Sequence, residues 1–153
     1  MIIAPHVIDE NHLVEIIRKL KRPYVRYTRA NEKNVRKADC LIIDCFGLLS
    51  SIYRYGEIAY IGGGFGVGIH NTLEAAVYGI PVIFGPKYQK FQEAIQLLET
   101  KGAFSVKDYE ELKTLLDRML TDEVFLRESG MNASNYVTSN AGATDKIMSM
   151  INF

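Results

Sequence analysis

The sequence predicts an α/β fold: a doubly wound parallel sheet of about six strands, with a helical tail at the C-terminus. Three observations carry this. Short β-type runs alternate with helical patterns as far as about residue 121. The clearest helical segments place apolar residues at i, i+3, i+4 and i+7, the spacing of helices that cover a sheet face. Past Thr121 the strand signal stops and only helical pattern remains. With 153 residues and 48% hydrophobic content, the chain can bury one ordinary core, so a single domain over residues 1–153 is expected.

Taken in order, the strands are expected at Ile2-Ile3-Ala4 and at residues 24–27, 40–44, 58–61, 81–84 and 103–106. Leu13, Ile16, Ile17 and Leu20 form one helical stripe, and either Asp9 or Asn11 is suited to cap its start. Leu112, Leu115, Leu116 and Met119 form another after Asp108. A helix is expected to start near His70 or Asn71, and one opens at Phe91 and Glu93. The tail reads as helices over residues 122–137 and 143–151, broken by the turn at Asn140 and Gly142. No internal repeat, low-complexity stretch or interdomain linker interrupts this order.

Lysine plus arginine and aspartate plus glutamate number 18 each, so no basic field argues for nucleic acid and no acidic tail argues for disorder. Cys40 and Cys45 flank a strand and face opposite sides of it, which disfavours a bridge and suggests a reduced, cytosolic chain. No run approaches the roughly twenty apolar residues of a membrane span, and the start lacks the sections of a signal peptide, so the segment is expected to be soluble. Because it opens within a strand, it is read as an excised domain.

Residues 58–74, IAYIGGGFGVGIHNTLE, are the most informative: a strand, five glycines within seven residues, then a helix. Ligands of open α/β sheets bind beyond the carboxyl ends of strands, where glycines let the backbone come close and free helix-end amides favour an anion. A flexible turn with no ligand is the alternative. The spacing is not that of the dinucleotide fingerprint, and there is no Walker lysine. Asn71 and Glu74 share one helix face, which suits a carboxylate accepting a ribose diol; it equally suits a capping pair, and the two roles are compatible. Lys87 and Lys90 follow another strand's carboxyl end and are candidates to face the same anion, unless they are merely solvated. His6, Arg26 and Arg29 also follow strands. No Cys, His and carboxylate cluster has metal-ligand spacing, and no Ser-His-Asp arrangement is present.

Residues 62–94, GGGFGVGIHNTLEAAVYGIPVIFGPKYQKFQEA, resemble the donor-site core of the Kdo (3-deoxy-D-manno-octulosonic acid) transferases. The likeness extends to Pro5-His6, to Thr28-Arg29, and to residues 44–53, which resemble the family's Asp-Thr-x-Gly-Glu-Leu segment and the tyrosine after it. Its specificity lies in the combination of the glycine loop, His70-Asn71-x-x-Glu74-Ala75-Ala76, and Pro81-Val82-x-x-Gly85-Pro86 with Lys90-Phe91 behind it. The sequence departs from the family at Ile69, Thr72, Cys45 and Leu48, and at Val7 and Ile8 after the histidine; the frame of the donor site is kept.

The resemblance implies a Rossmann-like half of a two-domain GT-B glycosyltransferase that moves Kdo from CMP-Kdo to a lipid A precursor by inverting transfer, with no cofactor and no bound metal. It assigns donor contacts to His6, Arg29, Gly62, Gly63, Gly64, Phe65, Gly66, His70, Asn71, Glu74, Gly85, Pro86 and Lys90. It places no catalytic residue in this segment. The general base, the acceptor lipid and the membrane surface belong to an N-terminal acceptor domain that nothing in this chain matches, and the parent protein is expected at the cytoplasmic face of the inner membrane. A GT-B donor domain for a UDP- or GDP-sugar, or a nucleotide-binding module without catalysis, is the competing expectation.

Overall fold

The computed structural model describes residues 1–66 and 68–151, and these divide into two compact units, Met1–Ile52 and Tyr53–Phe153. All six anticipated strands are present and pair in parallel, as one three-stranded sheet in each unit.

In the first unit the strands are β1 (Ile2–Ile3), β2 (Tyr24–Arg26) and β3 (Cys40–Ile42), in the order β1-β3-β2. The register sets Ile3 and Arg26 on either side of Ile42, so all three strands end level. Helix α1 (Glu10–Lys19) begins at Asp9, whose side chain accepts from the His12 amide at 3.0 Å; of the two candidate caps, the structure uses Asp9. Its Leu13 buries against Cys40 and Ile42, with Ile16, Ile17 and Leu20 beside it, as the apolar stripe predicts. The short helices α2 (Glu32–Val35) and α3 (Leu49–Ile52) and a 3-10 turn at Tyr27–Arg29 complete this unit.

The second unit opens with a 3-10 turn at Tyr53–Tyr55. Its sheet is β4 (Ala59–Tyr60), β5 (Val82–Phe84) and β6 (Ala103–Ser105), in that order. β5 is central, and Val82, Ile83 and Phe84 are wholly buried. Each such side chain contributes roughly 1.5–3 kcal/mol, which holds the carboxyl end of β5 firmly. Helices α4 (Leu73–Ala76), α5 (Gln92–Glu99), α6 (Tyr109–Thr121), α7 (Glu123–Asn140) and α8 (Ala143–Met150) follow their strands in chain order. Asp108 and Asp122 cap α6 and α7 through the amides of Glu111 and Phe125, both at 2.9 Å.

Helix α7 buries small residues: Ser129, Gly130 and Ala133. A Cβ on Gly130 would collide with the Gly79 carbonyl oxygen, and one on Gly102 would lie 2.6 Å from the Ala133 amide nitrogen. The helix therefore rests almost backbone to backbone on the turns that lead into β5 and β6. No helix among the described residues is long and apolar enough to cross a membrane. Cys40 is buried, Cys45 is partly so, and both are free thiols.

Candidate functional site

In the second unit the chain leaves β4 through buried Ile61, whose amide bonds the Ile83 carbonyl at 2.8 Å, and enters the glycine loop. The loop closes on itself. Gly63 pairs with Ile69 in an antiparallel bridge, and the Gly64 amide donates to the Gly68 carbonyl at 3.2 Å. Gly63 and Gly64 have φ of 93° and 81°, left-handed values that favour glycine. Val67 lies outside the described residues.

The loop is also pressed against the segment after β5. A Cβ on Gly64 would lie 2.8 Å from Gly85 Cα, and one on Gly85 would lie 2.8 Å from the Gly63 carbonyl oxygen. Lys87 fastens the two segments, its amide donating to the Gly64 carbonyl at 2.9 Å and its Nζ to the Gly66 carbonyl at 3.0 Å. A Cβ on Gly68 would strike the Phe91 ring. Gly63, Gly64, Gly68 and Gly85 are thus glycines because protein packs on them. Gly66 has nothing within 4 Å of its Cβ position, and Gly62 has only the His70 ring carbon Cδ2 at 3.8 Å. Gly62, Phe65, Gly66, His70 and Lys90 are exposed, whereas Gly85 is buried and Pro86 half-buried.

The helix expected near His70 or Asn71 begins instead at Leu73 and lasts four residues. A single turn aligns too few peptide dipoles to draw an anion, so any attraction here must come from loop amides and lysines. What delays the helix is Asn71: its Oδ1 accepts from the Leu73 amide at 2.9 Å, a local turn that competes with helical geometry. Its Nδ2 donates to Glu74 Oε1 at 3.0 Å. The two residues do act together at the helix start. They bond side chain to side chain, however, and Glu74 does not reach back to a backbone amide as in a capping box. Glu74 remains half-buried and acts on Tyr53, whose hydroxyl is pushed up first by burial and then by the Glu74 charge. Tyr53 is a neighbour that sequence spacing did not mark, because it lies 21 positions from Glu74.

In the first unit His6 is exposed beyond β1, and Arg29 is exposed in the 3-10 turn beyond β2. Arg26 is otherwise engaged. Its Nε donates to Asp44 Oδ2 at 2.8 Å, and its Nη1 and Nη2 grip Glu10 at 3.0 and 2.7 Å. Asp44, just past β3, also accepts from the Thr28 amide at 2.9 Å and the Thr28 hydroxyl at 2.6 Å. Burial alone would raise the Asp44 carboxyl, but the Thr28 hydroxyl and amide and the Arg26 guanidinium outweigh it and bring it down to about 2. Glu10 is lowered by its bond to Arg26, and the Arg26 guanidinium is raised by Glu10 and Asp44. The sequence marks Arg26 as a strand-end residue and Asp44 as the first residue of a family-like segment, but not their pairing, because the partners of Asp44 are 16 and 18 residues away.

A cleft of about 780 Å³ in the second unit runs along β6 and α6, with Leu98, Lys101, Phe104, Leu115 and Arg118 in its wall. It contains none of the candidate donor-site residues. Among the described residues no group of three His, Cys, Asp or Glu is placed to hold a metal ion.

No protein-family profile matches the chain. It is 42% identical over 87 residues to a 3-deoxy-D-manno-octulosonic acid transferase of Aquifex aeolicus, across 56% of this chain and 25% of that protein. It is 32% identical over 124 residues to the enzyme of the same name from Rickettsia felis, across 79% of this chain and 27% of the other. The chain spans about a quarter of the length of these curated relatives. In three dimensions it resembles the crystal structure of the C-terminal CMP-Kdo binding domain of WaaA from Acinetobacter baumannii, with a TM-score of 0.77 at 19% identity, over 89% of this chain and 72% of that one. This likeness establishes the fold, one half of a GT-B arrangement.

Proposed function

We propose that this chain, a sequence relative of the Kdo transferases, binds the CMP-Kdo donor of an enzyme that transfers Kdo to a lipid A precursor. One observation supports this most. The segment that resembles the family's donor core folds into a closed glycine loop at the carboxyl edge of β4 and β5, with Gly62, Gly66 and His70 open to solvent and the Asn71–Glu74 pair at the loop's end.

In this reading Glu74 accepts the ribose diol and Asn71 aims it. Open loop backbone at Gly62 and Gly66, with Lys90, meets the phosphate, while Gly63, Gly64, Gly85 and Pro86 give the loop its shape and Phe65 flanks it. His70 is a further donor contact of this unit; in the first unit, considered by itself, the resemblance alone proposes His6 and Arg29 as donor contacts. Such groups stabilise the departing CMP, since donors and cations fixed where charge develops are effective in a site that excludes water. The general base and the lipid contacts are assigned to an acceptor domain outside residues 1–153, working at the cytoplasmic face of the inner membrane. A UDP- or GDP-sugar domain, or a module that binds nucleotide without catalysis, would use the same loop.

Calorimetric titration with CMP, UDP and GDP tests the assignment: CMP is expected to bind tightest. Glu74→Ala should cost on the order of 1.5–3 kcal/mol of CMP affinity, the worth of a charged hydrogen bond. Equal binding of the three nucleotides would remove the Kdo assignment, and an unchanged affinity in folded Glu74→Ala would leave Glu74 as Asn71's structural partner only.

A further inference from the structure

We infer that Asp44 is a positioning residue for the donor: it fixes the turn that carries Arg29 and, through Arg26, the start of α1. The inference rests on the donor-binding reading, because Arg29 is one of the contacts assigned there.

β3 lies between β1 and β2, so the residue that follows it sits where the exits of both neighbours can reach it. Asp44 occupies that place with its side chain fully buried. Its Oδ1 takes the Thr28 amide, and its Oδ2 takes the Thr28 hydroxyl and Arg26 Nε. The far side of the same guanidinium takes both oxygens of Glu10, the first residue of α1. One buried carboxylate therefore holds the exit of β2 at Thr28 and, through the Arg26 guanidinium, is linked to Glu10 at the exposed start of α1.

A well-packed apolar residue would serve stability as well as a buried ion pair in most settings, so the charge here is better explained by the geometry it imposes. That geometry converges on the Tyr27–Arg29 turn. Thr28 is held from one side by Asp44, and the Arg29 carbonyl is held from the other by Asn34 Nδ2 at 2.8 Å. The Arg29 side chain itself stays exposed. Its backbone is fixed and its guanidinium is presented, the condition for recognising an anion at little ordering cost.

The test is a double-mutant cycle on the 153-residue chain, read by CMP-Kdo titration. Arg29→Ala and Asp44→Asn are each expected to weaken binding about tenfold or more. The double variant should be weaker than Arg29→Ala by no more than about twofold, since Asp44 acts through Arg29. Amide exchange at Thr28 and Arg29 should quicken in Asp44→Asn while the α1 and β3 interiors keep their protection. Should Asp44→Asn fail to fold, Thr28→Val takes its place; it removes only the hydroxyl bond, and Thr28→Ser should recover most of the affinity it loses. Losses that multiply, or full affinity in Asp44→Asn or Thr28→Val, overturn the positioning role and leave the donor reading standing. Full affinity in Arg29→Ala alongside weakened Glu74→Ala removes Arg29 from the donor contacts and this inference with it. A wild-type chain that binds no CMP-Kdo refutes the donor reading itself.

Discussion

The Asp44 carboxyl, held near 2 against an ordinary 3.8, makes stability depend on acid in a defined window. The unfolded chain takes up this proton first as pH falls. Its contribution, roughly 2 kcal/mol, is therefore complete above about pH 4 and is lost as pH falls from there to about 2. Urea unfolding between pH 5 and 2 should show that slope in the wild type and a flatter one in Asp44→Asn. Thr72 offers the opposite case: its hydroxyl is buried at the start of α4 with no hydrogen-bond partner. Thr72→Val removes the orphaned group at nearly constant shape and should stabilise by on the order of 1 kcal/mol, a rise of about 3 °C in Tm by calorimetry. At this scale the sequence was legible where partners are local. Asn71 and Glu74 were readable as a pair because three positions bring side chains together. The Asp44 cluster was not, because strand order creates it.

Among elements, the six strands could be read because β-branched and aromatic runs alternate with amphipathic helices long enough to show a period. The four-residue helices α2 and α3 and the 3-10 turns could not, since one turn has no periodicity to detect. The expected start of α4 near His70 or Asn71 is too early because the Asn71 side chain forms a turn before the helix. The glycine loop lies where expected, but close ligand approach is an incomplete reason for its glycines: protein atoms fill the space at Gly63, Gly64 and Gly68, and only Gly62 and Gly66 are left open. That difference is measurable. Gly64→Ala and Gly85→Ala should each destabilise by about 2 kcal/mol or more, since neither can retreat from backbone and Gly64 also has a left-handed φ. Gly66→Ala, with open space around it, should fold with a Tm close to wild type while weakening CMP binding. Loss of fold in Gly66→Ala would contradict the assignment of that position to the ligand.

For the molecule as a whole, transfer requires the acceptor hydroxyl to be held at bonding distance from the sugar, and such positioning lowers barriers by roughly 7–11 kcal/mol. Nothing in residues 1–153 is assigned that task. The chain alone should therefore bind CMP without producing Kdo-modified lipid, and a full-length protein carrying an acceptor domain should do both. Turnover by the chain alone, abolished by His6→Ala or His70→Ala, would make it a complete catalyst. The seat of α7 bears on how such a protein can change over generations. Because Gly130 meets the carbonyl of Gly79 with no room for a methyl group, and Gly102 meets Ala133 in the same way, neither Gly130 nor Gly102 can take a side chain first. Any lineage acquiring a side chain at one of these points must already have drawn the helix back. The floor beneath β5 and β6 is then inherited as a block, and novelty is channelled to the opposite edge, where Gly62 and Gly66 leave the backbone free to meet new ligands.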